Sequence, residues 1–583
     1  MDIYTVTIAV SILVFVAIGN YAGRSVKKLD DYFVAGRRAP TLFIVGTLVA
    51  SVFSTSIFLG EAGFTYDGQM GPYILFPAIA TVGYIYGALL FGTYLRRSRA
   101  PTVADFFGQR FNSHRVQQVA GITIIVGLGG YLLIVTQGAA ILLSDLTDLS
   151  YTQSLFVAWL SYTIFTMYSG SKGVILTDTL MFILFTVATF FFVTFIVSDF
   201  GGIPAAIESM VAIEGKHDIA SWHGMVGPGT EWPTALDYLI WTVIMDMSWG
   251  VVYAVSPWQS SRHLMARNEH VVLRAAIYTC IIVIIMQILI YGIGGLINIA
   301  NPNIAPSETV MIWGAKNLVP DFLGALLLAG IMAAALSSAS TFLSLVGFSV
   351  SNDIVKREEA LTLRTTRMLM MITGVVVLIA AFYFPPNLFW LMLFIGTVFA
   401  SSWGPVGFMS IWSKRITADA AYWGIVTGFL FNVVPAGLEY LDVISLPSYF
   451  NPVVIGVAAS LITIITLSNL GKVSRSEAVY RMRLHRTPEE DYNLKKTKLT
   501  LLAPAILIVF GCIMPLLMVN FYIIPYQTSS GQLLTDGSID WSRGEAILAL
   551  TWAALYIPLG LISANIIWRR YSPSAKRSSA KYN

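Results

Sequence analysis

The stretch IMAAALSSASTF, residues 331–342, sits in a run otherwise fit for hydrocarbon, yet it places four hydroxyls, Ser337, Ser338, Ser340 and Thr341, within five positions. On a helix, Ser337, Ser340 and Thr341 stand at i, i+3 and i+4, with Ala334 one turn earlier, so they share a face. Hydroxyls in membrane helices often bond back to the carbonyl four residues earlier, and small residues let helices pack closely. Ala333, Ala334 and Ala335 already supply the small surface, which leaves the hydroxyls for another task. A second signal is Asp178, alone in the apolar run GVILTDTLMFILF at 173–185. An intramembrane carboxylate requires a partner or a function. Neutral oxygens with at most one carboxylate suit a small hard monovalent cation, whereas calcium gathers more anionic oxygen. Sodium is the natural candidate.

The rest of the chain sets the context. Of its 583 residues, 56% are apolar and 12% charged, and the mean hydropathy is +0.71. These values describe an all-α polytopic membrane protein in contact with the lipid bilayer. Runs able to cross about 30 Å of hydrocarbon predict about 15 transmembrane helices, the first near 3–22, the last near 546–568. With the N-terminus outside and the C-terminus cytoplasmic, all of the 36 Lys and Arg except Lys216, Lys316 and Arg543 fall in cytoplasmic loops. That asymmetry predicts a multi-pass protein of the cell membrane, plasma or bacterial inner, in this orientation. It also predicts no Lys or Arg at the membrane midplane. MDIYTVTIAVSILVF has no basic residue before its apolar run and reads as a retained first helix.

Other chemistries lack their residues. Cys280 and Cys512 lie in spans at no metal-ligand spacing and read as buried thiols. The six His residues lie in loops or at span ends, and no H-E-x-x-H or P-loop occurs. No nucleophile–base or metal constellation marks an enzyme, and nothing points to nucleic acid. The segment 199–234 reads as a possible cover for an outer vestibule, and the basic loop 470–498 as a solvated, lipid-facing cytoplasmic loop.

Several further motifs carry a resemblance. DDYFVAGRRAP at 30–40, GEAGFTYDGQMG at 60–71, TVADFFGQRF at 102–111 and GSKGVILTDTLMF at 170–182, with Ser171 in place of a glycine, resemble segments of the sodium:solute symporter family. The resemblance covers roughly residues 20 to 440 and implies a five-plus-five inverted-repeat (LeuT-type) core, with one helix before it and four after. The implied division is 1–39, first helix and cytoplasmic loop; 40–198, first repeat; 199–234, outer loop; 235–415, second repeat; and 416–583, four C-terminal helices with the tail. Helices 40–60 and 235–257 are expected to be interrupted. Gly250 and Ser256-Pro257 mark the second interruption, but VASVFSTSIF at 49–58 contains neither Gly nor Pro.

Matched residue by residue, the resemblance implies a principal sodium site at Ala50, Phe53 and Ala334 (backbone carbonyls) with Ser337 and Ser338. A second site, found in some relatives, is similar to Asp178, Ser337, Ser340 and Thr341. Sodium is thus the expected coupling ion, with two ions per solute.

For the solute, the stretch IWTVIMDMSWGVVYAVSPWQ at 240–259 places Asp246, Trp249, Tyr253 and Trp258 around a candidate cavity, with Ser56 and Ile57 from the first interrupted helix. Aromatic walls with a carboxylate suit an ammonium group. The spacing of Asp246, Pro257, Trp258 and Gln259 is similar to the family's choline-transporting branch, although Val52 stands where that branch has a cage tryptophan. The expected partner is a small organic solute, whether an ammonium compound, amino acid, sugar or carboxylate, moved by a monomer or homodimer. A sodium-independent uniporter or channel, or a transporter-like sensor, are the rival classes on the same fold; WRRYSPSAKRSSAKYN at 568–583 adds no soluble signalling domain.

Overall fold

A computed structural model of the chain describes residues 2–354 and 362–572, and the tail beyond Ser572 lies outside the described residues. The described residues form helices without strands. The principal ones in chain order are α1 (Ile3–Gly23), α2 (Thr41–Ala50), α3 (Pro77–Gly87), α4 (His114–Leu146), α5 (Tyr151–Asp199), α6 (Ala235–Val255), α7 (Pro257–Met265), α8 (Glu269–Leu296), α9 (Asp321–Ser349), α10 (Leu363–Tyr383), α11 (Leu388–Trp412), α12 (Ala418–Tyr440), α13 (Pro452–Leu470), α14 (Arg475–Leu484), α15 (Leu494–Met518) and α16 (Gly544–Tyr571), with further helices of three to nine residues, Val103–Phe111 and Ile203–Val211 among them, in the connections.

Thirteen helices among the described residues are long and apolar enough to cross a membrane, against the fifteen spans expected from sequence. The difference lies in two places. The runs 151–169 and 173–198 are joined as α5, whose 49 residues change direction at Gly170, φ +53°. The run 40–60 is the ten-residue apolar helix α2, a non-helical stretch, and then a π-helical turn Ser56–Glu61. Apolar side chains such as Leu13, Phe190, Ile462 and Leu516 stay exposed, as a lipid-facing surface requires.

The sequence explains many boundaries. Ser150 and Gln153 form a capping box that starts α5, Thr234 caps α6, and Asn268 caps α8. Pro257 lacks an N–H and restarts the helix as α7 immediately after Ser256, whose ψ of 147° breaks α6. At the centre lies α9, with every residue from Leu327 to Ser344 buried and its sides packed on α5 and α4.

Two expectations are corrected. Cys280 is buried, but Cys512 is exposed on α15, a helix near the edge of the bundle that packs mainly on α16 and α8. The basic loop 470–498 is folded rather than simply solvated. Ser474 and Glu477 cap α14, Arg110 donates to the Ser410 and Glu477 carbonyls, and Arg97 donates to the Leu484 carbonyl while pairing with Glu269 at 2.6 Å. Buried guanidiniums need acceptors, and the loop backbone supplies them.

Helices α3 and α6 meet through small residues. A Cβ on Gly83 would lie 2.1 Å from the Gly250 carbonyl oxygen, and one on Gly87 2.5 Å from the Ala254 Cα. This is the small-xxx-small contact that membrane helices use for close approach. Gly83→Leu should force the helices apart at a cost of about 1–3 kcal/mol or more, read as a lower thermal midpoint in detergent, whereas Gly437→Ala, with open space around it, should leave the midpoint unchanged or raise it.

Candidate functional site

The break after α2 exposes backbone oxygens in the protein interior. Ser338, fully buried on α9, lies with its Oγ 3.4 Å from the Ala50 carbonyl oxygen and 3.0 Å from that of Phe53, and donates to them. The two interruptions are tied together by Gln259 at the start of α7, whose Nε2 donates to the Ser51 hydroxyl at 3.2 Å. Ala334 lies one turn before Ser338 on the same buried helix. Carbonyls freed from helical bonding beside a hydroxyl form an oxygen-rich pocket suited to a hard monovalent cation.

The other candidate residues of α9 have different partners. Ser337 donates to Asp178 Oδ1 at 2.7 Å, and Thr47 to Asp178 Oδ2 at 2.5 Å. Ser340 donates back to the Ser337 carbonyl oxygen at 2.9 Å. Thr341 accepts a hydrogen bond from the Arg262 guanidinium, which also stands 3.7 Å from Asp178 Oδ2. Asp178, Ser337 and Thr341 are therefore brought together around a cation belonging to the protein.

Arg262 corrects the reading of residues beyond Pro257 as a cytoplasmic loop, for it is a basic side chain buried beside Asp178. Its side chain is 1% exposed, and it lies in the candidate span Ala235–Met265. Sequence counting placed it in a cytoplasmic loop because the apolar run ends near Ser256-Pro257. The chain instead continues as buried α7, whose residues Pro257–Met265 are all buried. Thr47 was also missed, since a lone threonine in an apolar helix carries no distinguishing signal.

A separate cavity of about 60 Å³ is lined by Asp246, Trp249 and Tyr253 of α6, Trp258 of α7, and Val52 and Ile57 beside the first break. Ser56 is buried at the first turn beyond the break, its Oγ without a hydrogen-bond partner, but is not part of this lining. Trp258 is packed edge-on against Tyr131, Phe342 and Phe399, at 5.8, 6.2 and 5.5 Å between ring centres. At another wall, Trp241 meets Trp232 at 4.8 Å, and Phe64 stacks on Phe389 at 4.1 Å. Trp232 comes from the segment 199–234 and lies against the cavity wall.

The cavity also contains Glu61, which sequence reading missed. It is 8% exposed, and its Oε2 has no hydrogen-bond partner. The signal was present in IFLGEAGF at 57–64, a carboxylate inside an apolar run, but the expected span ended one residue before it. Among the described residues no group of His, Cys, Asp and Glu has the arrangement of a metal cluster.

Comparison with known proteins assigns the class. The family model "Sodium:solute symporter family" matches residues 32–428. The chain is 23% identical over 460 residues to the sodium/pantothenate symporter of Escherichia coli, covering 76% of this chain and 91% of that protein. It is 25% identical to the sodium/proline symporter of Haemophilus influenzae, covering 75% and 90%. A solved structure of a Na+-coupled sialic acid symporter, substrate-bound and outward-open, superposes with a TM-score of 0.68 at 19% identity, covering 82% of this chain and 99% of that one. The chain belongs to the sodium:solute symporter family. It is a multi-pass membrane transporter rather than an enzyme, and sodium is its coupling ion.

Removing the Ser338 hydroxyl deletes one of about five oxygens expected around that ion. Ser338→Ala should cost on the order of 1–3 kcal/mol of sodium binding, raising the sodium requirement for uptake roughly 5- to 150-fold. Sodium-activation curves in proteoliposomes check this, and an unchanged curve in well-folded protein removes Ser338 from the site.

Proposed function

We propose that the protein couples the inward movement of sodium to uptake of a small ammonium-bearing solute by alternating access, with the N-terminus outside the cell membrane. The observation that carries this reading is Ser338 bridging the Ala50 and Phe53 carbonyls at the first helix break. The principal ion is held by Ala50, Phe53, Ala334, Ser337 and Ser338. In this role Ser337 turns part of its oxygen toward the ion while remaining bonded to Asp178.

The second ion is taken by Asp178 with Ser337, Ser340 and Thr341, and it enters as Arg262 withdraws. A one-ion reading is favoured by a specific observation: Arg262 already stands beside Asp178 and bonds Thr341. The stoichiometry changes what the transporter achieves. One charge crossing 100 mV supplies about 2.3 kcal/mol, and a tenfold sodium gradient about 1.4 kcal/mol. One ion then concentrates a neutral solute about 500-fold, and two ions about 10⁵-fold.

The solute reading draws support from the lining of the cavity, with Trp249, Tyr253 and Trp258 around Asp246 and no Lys, Arg or His. Pantothenate and proline, carried by the relatives above, each present a carboxylate, which such a lining does not welcome. Uptake into proteoliposomes against a panel of labelled solutes, with sodium, potassium or choline as the bath cation, tests the whole reading. Accumulation without any sodium requirement overturns it in favour of a uniporter or channel.

Two variants separate the parts. Asp178→Asn should lower the sodium-to-solute ratio from two toward one, or abolish coupling, as read from labelled-sodium and labelled-solute fluxes measured in parallel. A ratio of one in the unmodified protein would instead make the Asp178–Arg262 pair structural. Asp246→Asn and Trp258→Ala should each raise the apparent solute constant, the indole through a loss of about 0.5–2 kcal/mol of cation–π attraction, with much smaller effects on the sodium constant at saturating solute.

A further inference from the structure

The cavity holds one carboxylate more than a singly charged ammonium solute would need. Asp246 approaches it from α6, and Glu61 from the turn that follows the first break. Each leaves a buried oxygen unpartnered, Oδ2 of Asp246 and Oε2 of Glu61. Two further polar groups in the lining are also unsatisfied. Gln287, 6% exposed, gives its Nε2–H to Tyr291 and leaves Oε1 free, and Trp249, 9% exposed, leaves its indole N–H free. These two carboxylates and the Gln287 carbonyl oxygen share a space walled by Tyr73, Tyr131, Trp241 and Tyr253, with no Lys, Arg or His in the lining. Unpaired buried acceptors call for a ligand rich in N–H donors, and aromatic faces attract cations.

We infer that the cavity takes a short organic dication, two ammonium or amidinium groups joined by a few carbon atoms, with one cationic end at Glu61 and the other at Asp246. The inference rests on the symporter reading above and narrows its solute class. Charge decides between the alternatives. A monocation leaves the second carboxylate unpaired among aromatic rings, and a zwitterion brings its own carboxylate toward Glu61 or Asp246, whereas a dication pairs both. Size agrees, because about 60 Å³ accommodates about four to six water molecules, which suits a slender chain better than a ring system. Gln287 Oε1 supplies a further acceptor for an ammonium proton, and the aromatic walls cover the methylenes between the charges.

The test uses the full-length protein with 1,4-diaminobutane as probe, and butylamine, choline and proline as single-charge and zwitterionic comparisons. Equilibrium binding of labelled diaminobutane to the detergent-solubilised transporter and sodium-driven uptake in proteoliposomes are measured separately. The expected result is that diaminobutane binds at least about tenfold more tightly than butylamine or choline, and that Glu61→Gln brings this ratio close to one. Glu61→Asp, which keeps the charge on a shorter arm, should retain part of the preference, and size-exclusion profiles confirm that each variant is folded. Diaminobutane binding that depends on Glu61 without sodium-driven uptake would uphold the dication site and overturn the symporter reading. Sodium-driven uptake of choline, butylamine or proline with no competition from diaminobutane would leave the symporter standing and overturn the dication. An unaltered ratio in folded Glu61→Gln would equally overturn it, by showing that one carboxylate suffices.

Discussion

Backbone polar groups released inside a membrane protein must be satisfied internally, since no water is at hand to do it. The break after α2 releases the carbonyls of Ala50 and Phe53, and Ser338 of α9 is the side chain that answers them. Much of the architecture serves that meeting. The buried run of α9 brings its hydroxyls to the centre of the bundle, and the Gln259–Ser51 bond holds the second interruption against the first. A helix break that would otherwise be a defect becomes a set of oriented oxygens, of the kind that suits a hard monovalent cation.

The same turn of α9 carries a second electrostatic problem. Asp178 is fully buried, and a lone carboxylate there would be costly unless paired and hydrogen-bonded. Thr47, Ser337 and Arg262 together provide that environment. Ser337 and Ser338 are adjacent residues facing different partners, one toward the carboxylate and one toward the broken helix. A cation that draws on both must alter the bonding of both. The bonding of Asp178 and that of the first break are therefore linked through a single turn of helix.

The aromatic-walled cavity lies beside these elements rather than among them. Val52 and Ile57 belong both to its lining and to the chain around the first break, and Gln259 follows directly on Trp258, so movement at either interruption reshapes the cavity. Trp232 from the long segment after α5 packs at one wall and the Tyr131–Trp258–Phe342 cluster at another. Aromatic stacks of this kind exclude water and strengthen whatever charge interaction forms between them.

By itself the sequence determined a polytopic membrane protein from its apolar runs, and the class from the resemblance carried by the motifs at 30–40, 60–71, 102–111 and 170–182, because these are properties of neighbouring residues that survive without coordinates. It also marked the second helix break, because Pro257 cannot continue a hydrogen-bond ladder. The first break was invisible locally, since nothing in VASVFSTSIF forbids a helix and the interruption depends on what packs around it. Arg262 and Glu61 escaped for a related reason. Each stands just beyond the end of an expected span, and a count by spans assigns such residues to solvent. Only the tertiary structure decided that Arg262 turns inward to Asp178 and Thr341, and that Glu61 shares a cavity with Asp246 from a helix far away in the chain. Burial and pairing are relations between distant segments, and these relations assign the charges their roles.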